Sequence, residues 1–147
     1  MEFFNGIIRN RALNVAILSW FIAQALKVII TLIQEKKFDF TRFMGSGGMP
    51  SSHSSFSMGL TTTIGKMYGW DSPIFAISLS FALIVMYDAA GVRRAAGKQA
   101  KILNKMIYDI HASKKLTEER LKELLGHTPK EVFMGALLGI IIANLIY

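Results

Sequence analysis

The chain has 147 residues, 52% hydrophobic and 18% charged, with a net charge of +7 and no cysteine. Soluble domains hold about 45–50% apolar and about 25% charged residues, so the balance points to a membrane. The missing cysteines exclude disulfides and Cys-ligated zinc or iron–sulfur sites, and the length allows one domain or one small helical bundle.

The N-terminal stretch MEFFNGIIRNRALNVAIL lacks a basic segment ahead of its apolar run and has no small-residue cleavage pattern. No cleavable signal peptide is expected, and the first span stays in place. Residues 12–33, ALNVAILSWFIAQALKVIITLI, carry one charge, Lys27. That length crosses a bilayer core as a helix. Residues 34–52 form a polar, Gly-rich loop containing Arg42, Gly45, Gly47 and Gly48. Residues 53–69, HSSFSMGLTTTIGKMYG, are a weak second span. The hydroxyls suit the inside of a bundle, where they find partners, better than lipid. Residues 73–91 form a clearer third span, with Pro73 suited to a first turn.

A basic stretch, 92–130, follows. An amphipathic segment over 95–125 has apolar residues at Ile102, Leu103, Met106, Ile107 and Ile110 against a basic face. Thr117 reads as an N-cap for EERLKELL and Gly126 as its stop. Such a segment lies along a membrane surface rather than crossing it. Residues 131–147 make a fourth span. The expectation is therefore an all-α integral membrane protein, a single domain over 1–147 with about four transmembrane helices and one amphipathic surface segment.

The loops 34–52 and 89–130 share one face if the spans alternate, and they hold 13 of the 17 Lys and Arg residues. By the positive-inside tendency that face is cytoplasmic in a multi-pass protein of the cell membrane. Arg9, Arg11 and Lys66 fall on the other side. The same alternation gathers Lys27, Arg42, His53, Asp88, Arg93, Arg94, His127 and Glu131 at one level, and ionisable residues at such depth usually mark a site.

Pro50-Ser51-Ser52-His53 and His127-Thr128-Pro129 each lead into a helix N-terminus. Free backbone N–H groups and the positive dipole end favour an anion there and keep a histidine neutral. A neutral imidazole serves as nucleophile or base, a second one as acid, and Lys and Arg supply charge to a transferring phosphoryl group. The glycine run is not a nucleotide P-loop, because no Gly-Lys-Ser/Thr follows it. Plainer readings stand beside these. Thr128-Pro129-Lys130-Glu131 is a capping box in its own right. Ser51 or Ser52 is a natural N-cap. His111 reads as a surface residue. Lys27 either joins the site or snorkels to the interface. Asp88 either pairs structurally with Arg93 or Arg94 or orients a site group. Gly135 and Gly139 form a small-xxx-small pair for helix packing, within the chain or between two copies in a homodimer. The basic excess over 98–122 signals topology and attraction to anionic lipid headgroups. Nucleic-acid binding is not expected, since that segment has one aromatic, Tyr108, and no reader motif.

Three blocks, GMPSSHS, YDAAGVRRAAGKQA and LLGHTPKEVFMG, together resemble the divergent branch of the type 2 phosphatidic acid phosphatases, relatives of the vanadium haloperoxidases. The likeness runs from about Asn10 to Gly139. It implies a helical phosphatase of lipid phosphates or pyrophosphates that needs no metal or other cofactor and passes through a phosphohistidine. On that resemblance His127 is the nucleophile, Glu131 orients it, and His53 protonates the leaving group. Ser51 and Ser52 bind phosphate oxygens, Arg93 or Arg94 clamps phosphate, and Lys27 with Arg42 forms a first basic motif. The chain departs from the family pattern in five places. Ser52 replaces Gly, and Glu131 replaces Asp. Arg120 stands seven residues before His127, where a Ser-Arg pair is usual at five. No proline follows Arg42, and about four spans replace about six. Two alternatives follow from these departures: a lipid-phosphate binder or transporter without turnover, and a packing module with incidental histidines.

Overall fold

The computed structural model describes residues 1–35, 48–111 and 126–147. These residues form six helices: α1 (Glu2–Arg9), α2 (Arg11–Glu35), α3 (Ser52–Tyr68), α4 (Pro73–Ala90), α5 (Val92–His111) and α6 (Pro129–Ile146). The described residues contain no strand. The expected spans 12–33, 53–69, 73–91 and 131–147 correspond to α2, α3, α4 and α6. The amphipathic segment expected over 95–125 starts earlier, as α5. Its second half, with Thr117, lies outside the described residues, as do Arg42, Gly45 and Gly47.

Local sequence sets the helix ends. Ser51 caps α3 and Ser72 caps α4, their hydroxyls accepting from the N–H groups of Ser54 and Phe75. Thr128 caps α6 in a full capping box, with Pro129 in the first turn. Each cap satisfies N–H groups that the helix itself leaves open.

Among the described residues, three helices are long and apolar enough to cross a membrane: α2, α4 (whose run continues into α5) and α6. The second expected span, α3, is not among them. It is instead the hub, packing against α2, α4 and α6. Its buried face is Ser52, Ser54, Ser55, Ser57, Thr61, Thr62 and Thr63 with Gly59 and Gly65. The hydroxyls find partners: Ser55 Oγ donates to the Ser19 carbonyl (3.0 Å) and Thr63 Oγ1 to that of Gly59 (2.8 Å). Thr61 Oγ1 lies 3.1 Å from the Ser78 carbonyl. The large apolar side chains face outward, among them Ile77 (70% exposed), Ile84 (67%) and Leu145 (79%). A polar, small-residue interior inside an apolar shell is what lipid as solvent requires. The molecule is an all-α integral membrane protein.

Helix ends fix the directions. Ser51 N–H donates to the Glu131 carbonyl (3.0 Å), joining the starts of α3 and α6. Lys66 Nζ donates to Asn144 Oδ1 (3.2 Å), joining their far ends. His127 N–H donates to the Ala89 carbonyl (2.8 Å), tying the start of α6 to the end of α4. So α3 and α6 run one way and α4 the other.

The Gly135 and Gly139 pair packs within the chain. A methyl on Gly135 would collide with the Ser51 backbone, and one on Gly139 with the backbone of Ser55 and Gly59. These two glycines therefore leave no free small-residue face for a second copy. Gly139→Ala is expected to lower stability by about 1–3 kcal/mol through overpacking. Thermal unfolding in detergent checks this. Gly6→Ala, where the added methyl meets nothing within 4 Å, should be neutral or stabilising.

Candidate functional site

Most of the residues singled out meet where the starts of α3 and α6 adjoin the end of α4. His127 sits just before α6, with its side chain buried. Its Nδ1 is 3.0 Å from Glu131 Oε2. A carboxylate only accepts, so Nδ1 carries the proton and Nε2 presents its lone pair. That Nε2 is buried and has no hydrogen-bond partner among the described residues. The same Oε2 also accepts the Thr128 backbone N–H (3.2 Å), while Thr128 Oγ1 accepts from Glu131 N (3.3 Å). Glu131 thus holds the helix cap and the imidazole at once.

Burial pushes the His127 pKa below the ordinary histidine value. The hydrogen bond and charge of Glu131 oppose that shift, as does the nearby Gly48 backbone, and the charge of Lys27 adds to it.

His53, in the first turn of α3, is exposed. Its ring lies 6.3 Å from that of His127, centroid to centroid, at an interplanar angle of 62°. A cavity of about 260 Å³ opens beside it, lined by His53, Ile84, Val85, Asp88, Ala89 and Arg93. Arg93 Nε donates to Asp88 Oδ2 at 2.6 Å, and both side chains are partly exposed. Of the two arginines, Arg93 lines this cavity. Arg94 is exposed, and its backbone packs against Gly126, which adopts φ +88°.

Lys27 is 1% exposed, so it does not snorkel to an interface. Its Nζ donates to Gln24 Oε1 at 2.7 Å. Gly48, at φ +85°, lies over its stem, where a methyl would stand 3.2 Å from Cγ. Ser51 is fully buried. It caps α3 and also receives the Ser54 hydroxyl at 3.0 Å. Ser52 is 3% exposed.

Sequence reading missed Gln24 and the Ala89 carbonyl. Gln24 had a signal: an amide one helical turn before a lysine, inside an otherwise apolar span. The carbonyl had none, because its role comes from the end of α4 at Gly91 and the arrival of a segment nearly forty residues later.

The family model for the divergent PAP2 family matches residues 8–142. The chain belongs to the divergent PAP2 family. It is 44% identical over 131 residues to the "Uncharacterized membrane protein YuiD" of Bacillus subtilis (strain 168), an alignment covering 82% of this chain and 83% of that protein. No solved structure matches the chain. The matched region of the divergent PAP2 family takes in every residue of the cluster, from Lys27 to Glu131.

The His127 environment has a pH consequence. Its folded-state pKa is depressed, so the unfolded chain takes the proton more readily. Its contribution to stability is whole above the unfolded value of about 6.5 and is lost as pH falls through and below it. Unfolding midpoints at pH 7.5 and pH 5.5 should differ less in His127→Gln than in wild type.

Proposed function

We infer that this protein is a multi-pass membrane phosphohydrolase that transfers the phosphoryl group of a lipid phosphate or pyrophosphate to His127. The observation that carries this reading is the His127 geometry. Nδ1 is held by Glu131, and Nε2 keeps an unshared lone pair beside a second histidine. In the first step Nε2 attacks phosphorus and the bond from phosphorus to the leaving oxygen breaks. His53 gives that oxygen a proton, and a phosphohistidine forms. Water then attacks phosphorus and His53 takes back a proton. Inorganic phosphate leaves and His127 regains its lone pair.

Arg93 lines the cavity beside His53, the charge of Lys27 bears on both histidines, and Ser51 and Ser52 open α3 just before His53; Arg94 and Arg42 are further candidates in the same role. Their charges and N–H groups suit the oxygens of a phosphoryl group. The site faces the cytoplasm by the distribution of Lys and Arg between loops. No cofactor enters these steps.

A second reading, a lipid-phosphate binder or transporter without turnover, draws on two observations. His127 is 3% exposed, and Arg93 is already paired with Asp88.

Phosphate release separates them. Purified protein in detergent is given phosphatidic acid, phosphatidylglycerol phosphate and short polyprenyl pyrophosphates without added metal. Release by wild type is expected, with a loss of about 10³-fold or more in His127→Ala. Binding of these lipids without release from a folded protein would establish the binder. Glu131→Gln separates cap from orienter. Glutamine still caps, so stability should hold within about 0.5 kcal/mol while turnover falls by about 10²–10⁴-fold.

A further inference from the structure

The end of the bundle away from His127 carries a second polar cavity. It measures about 460 Å³ and is lined by Gly6, Arg9, Asn10, Arg11, Met67 and Tyr68. Its volume falls within the ~300–1,000 Å³ of small-molecule sites. Met67 and Tyr68 end α3, whereas His53 begins it. The 14 helical steps from His53 to Met67 place this cavity ~21 Å from the histidines, at ~1.5 Å per residue.

The corner between α1 and α2 is a built feature. Asn10 Oδ1 accepts the Leu13 N–H (3.1 Å), and Asn14 Nδ2 donates to the Ile8 carbonyl (2.7 Å). These bonds set α1 off from the axis of α2 and hold Arg9 and Arg11 on either side of the turn. Both arginines are exposed, and neither makes an ion pair among the described residues. The acidic residues near this end, Glu2 and Asp71, do not line the cavity.

Depth decides what would fill it. The apolar run of α2 starts at Arg11, so the corner stands where hydrocarbon gives way to headgroups. Exposed aromatics mark the same level: Tyr68 (57%), Trp70 (58%) and Tyr147 (41%). Such a belt is usual at a membrane–water boundary. The only helix that α1 packs against among those described is α2, and it exposes Phe4 (69%) and Ile8 (68%). An apolar helix face ending in arginine at that depth lies in the lipid surface.

We propose that the cavity between the α1–α2 corner and the end of α3 binds the headgroup of an anionic phospholipid, in the leaflet opposite His127. The two guanidiniums take the phosphate by charge-assisted hydrogen bonds. Tyr68 and Asn10 offer polar groups to the rest of the headgroup, and the acyl chains continue along the apolar surface beside Ile8. The ligand anchors α1 and is not a substrate. The site is independent of any chemistry at His127.

Native mass spectrometry of the full-length protein tests this with phosphatidylglycerol, phosphatidylcholine and free glycerol 3-phosphate as probes. Wild type should retain phosphatidylglycerol over phosphatidylcholine and not bind the free headgroup. In Arg9→Gln/Arg11→Gln, retention of phosphatidylglycerol should fall by about tenfold or more, with unfolding in phosphatidylcholine unchanged. Lys98→Gln/Lys101→Gln/Lys105→Gln, on α5, should keep the preference. If the α5 variant loses it and the arginine variant does not, the proposal is overturned. Equal retention of the two lipids by wild type overturns it as well. Should the double variant not fold, Arg9→Gln and Arg11→Gln are measured singly, each expected to lose part of the preference. Wild-type retention in both would be a third way to overturn the site.

Discussion

The close approach of α6 to α3 is the constraint on which the rest depends. Ser51 can give its N–H to the Glu131 carbonyl because Gly135 has no side chain to hold the two backbones apart. Gly139 repeats the arrangement one turn on, against Ser55 and Gly59. The result is two parallel helices whose starts lie side by side. Two positive dipole ends and two sets of open N–H groups then share one small volume. His53 and His127 stand at those starts, so the packing of five small residues decides the separation of two imidazoles.

The cluster also answers to the end of α4. The Ala89 carbonyl, near the end of that helix, receives the His127 N–H. Gly126 reaches it with positive φ, passing so near the backbone of Arg93 and Arg94 that no side chain fits there. A single crossing thus sets His127, Asp88 and Arg93 relative to one another. Beneath them Lys27 sits on α2 with Gln24, under the glycine turn at Gly48. Five helices contribute, and each contributes through an end or a buried polar residue.

Much of this was legible in the sequence. Hydropathy found α2, α4 and α6, and Pro73, Pro129 and Thr128 located two starts to the residue. Alternation of spans alone brings His53, Asp88, Arg93 and His127 to one level. Helix α3 read as a weak span whose hydroxyls suit a bundle interior, and it meets protein on three sides. Other features were harder to read. Lys27 admitted a snorkelling reading because its side chain is long enough to reach water, and whether it does depends on neighbours distant in sequence. The short helix α1 was not anticipated either. Its eight residues are apolar on one face, but so brief a segment gives a periodicity signal only once the corner at Asn10 is known.

The burial of Lys27 bears on how the molecule comes into being. A lysine well inside an inserting helix costs about 2.5–3.5 kcal/mol at the stage of translocation. Its flanks, AILSWFIAQAL and VIITLI, supply the apolar length that offsets this. When α2 first enters the bilayer, α3 and α6 have not been synthesised, so the ammonium must begin life near water or lipid headgroups. It reaches its final setting beside Gln24 and under Gly48 only when the later helices arrive. The final setting of this cation thus depends on residues that follow α2 in the chain, so the burial of Lys27 is completed only after its own helix is in place.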